Sequence, residues 1–208
     1  WVELHRAWQQ VLDSSELNKR FFKELADWYF WAVDNVIFPD GAGPEETRNA
    51  VSVIRLITRL IFVWFVKEKG LVPDVLFDRR RLEAEILKWD ADPNDSTYYK
   101  AILQNLFFAT LNQEMDNSQY PRRWRGEASG TGGRDSHYMI PNVYRYRRYF
   151  QDPEAALALF SNIPFLNGGL FECLDRRPET GTPVRVDGFS DRKDNPLRVP
   201  DELFFGRE

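Results

Sequence analysis

Residues Val51–Val66 read VSVIRLITRLIFVWFV, and the fold class turns on whether this run crosses a bilayer or lies in a protein core. The run is shorter than the roughly 20 residues that a spanning helix needs. Arg55 and Arg59 interrupt it, and each would cost about 2.5–3.5 kcal/mol at a bilayer centre. With Arg48 and Ser52 they recur at i, i+4, i+7 and i+11, a polar stripe on an otherwise apolar helix. The spacing predicts a buried helix over Glu45 to Lys69. Lys67 and Lys69 suit the negative end of its dipole, and Gly70 is a natural cap ahead of Pro73.

Upstream, ELNKRFFKELADWYFWAVDNVIF (Glu16–Phe38) confines Arg20, Lys23, Glu24, Asp27 and Asp34 to one narrow stripe. A helix apolar over the rest of its circumference is expected in a core, and PDGAGP ends it. Asp27 and Asp34 are candidate ion-pair partners for the arginine stripe of the second helix. The chain of 208 residues, 43% hydrophobic and with 16 Phe, 8 Tyr and 7 Trp, is long enough to bury an ordinary core and too apolar for disorder.

Downstream, a shorter helix is expected over Arg79–Trp89, and one over Thr97–Met115 capped by Asp95 or Ser96. Asn117–Asn142 has no sustained period and reads as a long loop. Asp152-Pro153-Glu154 is a cap, a first-turn proline and an acidic first turn for a helix to Phe160. From Pro178 on, Gly, Pro and Asp dominate, and VRVDGFSD offers at most one short strand pair. The expected fold is mainly α: an irregular multi-helix domain over 1–162, with a basic aromatic loop at 117–150, and a small β or loop-rich portion over 163–208. The opening Trp1 and the ending ELFFGRE suit a piece of a larger protein.

Cys173 is the only cysteine and His5 and His137 the only histidines, which excludes a disulfide framework and a Cys/His zinc site and suits a reducing, cytoplasmic compartment. Asn162-Ile163-Pro164-Phe165 differs by one residue from the polar-Pro-Pro-aromatic tetrad with which amino-methyltransferases grip a flipped base. The missing proline, the preceding helix and the lack of a strand with a Gly-rich turn upstream argue against a methyl-transfer site. Ser129–Asp135, SGTGGRD, follows no apolar strand and is a poor cofactor loop. No Asp followed by Glu-x-Lys on paired strands offers a nuclease metal site. Catalytic, cofactor and metal residues are therefore expected to be absent from this chain. IPFLNGGLFECLD (Ile163–Asp175) reads instead as a tight reversal, with Asn167, Gly168 and Gly169 tolerating positive φ between apolar anchors, or as a helix beginning at Leu170.

The formal charge of −4 gives no global attraction to nucleic acid. Asn117–Phe150, however, carries Arg122, Arg123, Arg125, Arg134, Arg145, Arg147 and Arg148 against Glu127 and Asp135, a local excess of five positive charges. Tyr120, Trp124, Tyr144, Tyr146 and Tyr149 interleave with them. One reading is DNA contact, with cations on phosphates and rings on bases or sugars. The other is that the arginines pair with acidic faces of the protein while the rings close the core.

Taken together and in order, LNKRFFKELADWYFWAV, VIRLITRLIFVWFVKEKGLVPDVLF, STYYKAILQNLFFATLNQEM, IPFLNGGLFE and DELFFG resemble the helical region of large bacterial fused restriction-modification proteins. These are type IIG or IIL-like enzymes with an Eco57I-type adenine methylase portion. The resemblance implies a connector between an N-terminal nuclease and the methyltransferase core, working on double-stranded DNA. It implies S-adenosylmethionine and Mg2+ for the parent protein but carries no catalytic residue over to any position here. The rival expectation is a protein-interaction scaffold that does not touch DNA.

Overall fold

The computed structural model describes residues 2–114, 122–125, 143–166, 169–176, 181–182 and 184–206, with side chains from residue 16 onward. Helices dominate among them: α1 (Val2–Asn35), α2 (Glu45–Glu68), α3 (Arg79–Arg81), α4 (Tyr99–Leu111), α5 (Pro153–Ser161) and α6 (Glu202–Phe205). A π-type turn over Leu82–Ile86 continues α3. Strands β1 (Arg123–Trp124) and β2 (Val143–Tyr144) pair in parallel, Arg123 beside Val143 and Trp124 beside Tyr144. The fold is mainly α, as expected. Its paired strands lie before Ile163 rather than after it, and the C-terminal portion contributes the single bridge Arg176–Val184 and the bridge Arg198–Ile37.

Helix α2 follows its sequence signals closely. Glu45 and Glu46 occupy its first turn. At the other end Leu71 N–H bonds Val66 O (3.2 Å) and Gly70 N–H bonds Lys67 O (2.8 Å), with Gly70 at φ 71°. These two bonds close orphan carbonyls, and the left-handed backbone at Gly70 is the conformation a residue without a Cβ adopts at least cost. The polar stripe has other partners than the α1 acids. Arg48 pairs closely with Asp40, Arg55 with the Ser52 hydroxyl, and Arg59 with Asp187.

Neither long helix is a core helix all round. In α1 every residue from Glu16 to Glu24 is exposed, and packing begins farther on, where Ala32 and Val36 are buried and Trp28 Nε1 donates to Leu203 O (2.8 Å). In α2, Val53, Leu56, Val63 and Val66 are buried, whereas Ile54, Ile61 and Phe65 are exposed. Apolar periodicity identifies which residues need cover; it does not say that this chain supplies it.

The helix inside is α4, all of whose residues are buried and which is wound with wide π-type turns. Thr110 Oγ1 donates to Asn105 O (2.9 Å), five residues back. Asn105 itself bonds Arg145 twice, Nδ2 to its carbonyl and Oδ1 from its N–H, both at 2.9 Å. That exchange fixes β2 against α4. Neither Asp95 nor Ser96 caps the start of α4 with its side chain: Asp95 is held in a left-handed turn at φ 52°, and the Ser96 hydroxyl donates to Asn94 O (3.1 Å) and accepts from Val199 N (2.8 Å). Asp201, far along the chain, accepts the Tyr98 N–H at Oδ1 (2.9 Å) and donates its own N–H to Asp95 O (2.9 Å).

α5 begins as predicted, Asp152 Oδ1 accepting from Glu154 N (3.0 Å) and Ala155 N (3.1 Å). In the Ile163–Asp175 stretch, a 3-10 turn starts at Gly169. Gly169 does not take the positive φ expected of it, and a Cβ there would meet nothing within 4 Å. Asn167 and Gly168 lie outside the described residues. Ile163, Phe171, Phe189, Leu197, Val199 and Leu203 share one core with α2 and α4, so these residues pack into the helices rather than apart from them.

The long-range cap makes stability depend on pH. Burial and the nearby Asp95 and Asp92 push the Asp201 carboxyl up to about 7, against the Tyr98 N–H, which favours the ionised form. A folded-state value above the unfolded one (about 3.9) means that the folded protein holds a proton that the unfolded chain releases. The contribution is full below about pH 4 and is lost as pH rises through about 7. Between pH 5 and 8 it amounts to about 1–3 kcal/mol at about 1.4 kcal/mol per unit. Urea melts at the two pH values measure this. Asp201→Asn is expected to remove that part of the slope, leaving the variant less pH-dependent than the parent.

Candidate functional site

The basic aromatic segment is the leading candidate from the sequence, and its arginines divide by burial. Arg122 is 4% exposed. Its Nη1 donates to Phe160 O (2.8 Å) and Ile163 O (3.4 Å), and its Nη2 to Thr110 O (3.3 Å) and Gln113 O (3.5 Å). These carbonyls end α5 and α4, so one cation closes the negative ends of two helix dipoles. Arg145 is 3% exposed, donates to Val143 O (2.6 Å) and lies over the Phe189 ring at 4.0 Å. Arg122 and Arg145 are thus turned inward, away from any phosphate at the surface.

Arg125 makes a close ion pair with Asp191, and Arg123 is half-buried on β1. Arg147 and Arg148 are exposed, the first paired with Glu154 (3.1 Å) and the second over the Tyr149 ring (5.2 Å). Arg134 lies outside the described residues. The rings are equally committed to the interior. Trp124 Nε1 donates to Pro153 O (3.1 Å), and the hydroxyls of Tyr144, Tyr146 and Tyr149 meet Thr110 Oγ1 (3.0 Å), Gln104 Oε1 (2.9 Å) and Asp92 Oδ2 (2.7 Å). Trp124, Tyr144, Tyr146 and Tyr149 are buried and none can stack on a base; Tyr120 is outside the described residues. What remains at the surface is a shallow cleft lined by Arg148, Lys88, Trp89, Asp90 and Ala91.

The Asn162–Phe165 motif is engaged in ordinary structure. Asn162 Nδ2 donates to Ala158 O (3.2 Å), one turn back in α5. Ile163, where the tetrad has its first proline, is fully buried and offers its carbonyl to Arg122. Leu166 N–H bonds Leu111 O (2.9 Å), fastening the following residues to the end of α4.

Sequence reasoning missed the polar centre of the molecule. Arg59 Nη1 bonds Asp187 Oδ1 (2.9 Å), Nε bonds Leu170 O (2.9 Å) and Nη2 bonds Glu172 O (3.0 Å), with the guanidinium 4.9 Å from the Phe108 ring centre. Asp187 also accepts the Leu174 N–H at Oδ2 (2.7 Å). Asp175 receives four consecutive N–H groups, Val186, Asp187 and Gly188 at Oδ1 and Phe189 at Oδ2 (2.6–3.0 Å). Burial raises its carboxyl above the usual range in spite of them. Asp92 accepts from Lys100 Nζ (2.6 Å) and Tyr149 OH at one oxygen. Burial acts to raise it, yet those hydrogen bonds bring it below the ordinary value. Each carboxylate is saturated by donors of the protein itself. Among the described residues no group of three or more Cys, His, Asp and Glu side chains is placed to hold a metal ion.

Comparison of the chain with protein-family models, with curated proteins and with solved structures gives no match.

Structural and surface arginines separate by mutation. Arg59→Met leaves Asp187 buried without its counter-charge and is expected to cost about 3–5 kcal/mol. Arg122→Met, which orphans helix-end carbonyls, is expected to cost about 2–3 kcal/mol. Arg147→Met and Arg148→Met should stay within about 0.5 kcal/mol of the parent, as exposed charges do. Urea midpoints of the four variants test the ranking, and equal midpoints would contradict it.

Proposed function

We propose that this chain is the non-catalytic helical connector of a fused bacterial restriction-modification enzyme, placed between its nuclease and methyltransferase modules. The observation that carries the reading is where the familiar phrases meet. Trp28 of the first phrase bonds Leu203 of the last, Arg59 of the second bonds Leu170 and Glu172 of IPFLNGGLFE, and Asp201 of DELFFG caps the helix of STYYKAIL at Tyr98. The five stretches are mutually bonded parts of one scaffold, which supports reading them as the signature of a fold rather than of an active site. The parent would be a cytoplasmic enzyme that methylates adenine with S-adenosylmethionine and cleaves DNA with Mg2+; this chain would hold the modules in place.

Direct DNA contact is then narrower than the sequence implied, resting on Arg147 and Arg148 with Lys88 beside them. A second reading, a protein-interaction scaffold without DNA contact, is favoured by the inward Arg122 and Arg145 and by the exposed apolar face of α2. Duplex binding measured against salt decides between them. If Lys88, Arg147 and Arg148 touch phosphates, neutralising all three weakens binding and flattens the log–log salt slope by about 0.9 for each phosphate no longer neutralised. An unchanged slope would leave the scaffold reading. Incubation with DNA, labelled methyl donor and Mg2+ tests the absence of catalysis, and turnover abolished by Asn162→Ala or Phe165→Ala would overturn it.

A further inference from the structure

The outward face of α2 is the least expected surface of the molecule. A helix packed on one side ordinarily turns its polar residues to water. Here the buried side carries Ser52 and Arg59, while Val51, Ile54, Ile61, Phe62, Trp64 and Phe65 are 41–58% exposed. From the geometry of this face we propose that α2 pairs with α2 of a second copy of this chain, antiparallel and centred on Thr58.

Three observations select a second copy. The first is spacing: Val51, Ile54, Thr58, Ile61 and Phe65 alternate by three and four, the pattern of a seam that meets another helix. About Thr58, Val51 lies seven residues before and Phe65 seven after, and Ile54 four before and Phe62, at the edge of the seam, four after, while Ile61 falls opposite Arg55. Antiparallel copies related by a two-fold axis through Thr58 therefore set Val51 against Phe65 and Ile54 against Phe62, a self-complementary surface. Thr58 would be buried at no polar cost, because its hydroxyl already donates to Ile54 O (2.9 Å).

The second observation is charge. Glu45 and Glu46 lie at one end of α2; at the other Lys67 is already paired with Glu68 and Asp74, and Lys69 is the cation just beyond the helix. Antiparallel pairing brings acidic and basic ends together and opposes the helix dipoles, whereas parallel pairing would place like charges side by side. The third is area. Val51, Ile54, Ile61, Phe62 and Phe65, each 41–58% exposed, offer roughly 500 Å2 per copy, more than half of the ~800 Å2 per partner of a standard interface. The inference goes beyond the connector reading and does not depend on it.

Sedimentation equilibrium of the chain from about 1 to 100 µM is expected to give a dimer. Phe65→Glu should give a monomer with the circular dichroism of the parent, since Phe65 is exposed, and a urea midpoint that no longer rises with protein concentration as the parent's does. Thr58→Cys should cross-link to itself under mild oxidation, and Glu83→Cys, exposed elsewhere, should not. Glu46→Lys or Lys69→Glu alone should weaken dimerisation at least ten-fold, and the double reversal should restore it. A monomer at about 100 µM overturns the proposal, as does a dimer without the Thr58→Cys cross-link or without rescue by the double reversal. A monomer that sediments with phosphatidylcholine vesicles assigns the face to lipid and overturns it too.

Discussion

One buried ion pair, Arg59 with Asp187, ties together four segments of this protein that are far apart in sequence. A guanidinium has five donors in a plane, and in a core nearly all must find acceptors. Here three of its nitrogens reach Leu170, Glu172 and Asp187, so α2, the turn after α5 and the loop before Phe189 meet at one point. Phe108 of α4 covers the cation from the side, and Gln104 of α4 bonds the Asp187 carbonyl (2.8 Å). Such a pair adds little net stability over an apolar replacement, but half of it alone is costly. Its effect is to make the register of four segments interdependent.

The same logic explains why the basic segment misleads. Arginine is selected for phosphate because its planar fork matches anions, and for helix ends because the same fork matches carbonyls. Composition does not distinguish the two. Arg122 faces four main-chain oxygens at the ends of α4 and α5, and the tyrosines that suggest stacking platforms lend their hydroxyls to Thr110, Gln104 and Asp92. Burial follows from which segment crosses above, and no window of sequence around Arg122 contains that information.

Local signals are legible in the sequence. The caps at Asp152 and Gly70 depend on residues within one turn of each other, and both form as expected, as does the dominance of helix. What is illegible is long-range. The cap of α4 comes from Asp201, the partner of Arg59 from Asp187, and the short strands β1 and β2 pair across a segment that has no periodicity of its own. Helix α1 shows a third kind of limit: its apolar residues are placed as in a core helix, yet Glu16–Glu24 stands clear of the rest.

The cap at Asp201 also bears on how the chain is made. The first turn of α4 is closed by a residue 103 positions later. At about 5–20 residues per second of synthesis, that residue follows Tyr98 off the ribosome by roughly 5–20 s. During this interval a helix that is wholly buried in the folded protein has been translated but lacks its cap, and Trp28 and Arg59 likewise await Leu203 and Asp187. Closure of the first turn of α4 therefore waits on the segment that carries Asp201, so the order of synthesis and the order of packing run apart in this chain.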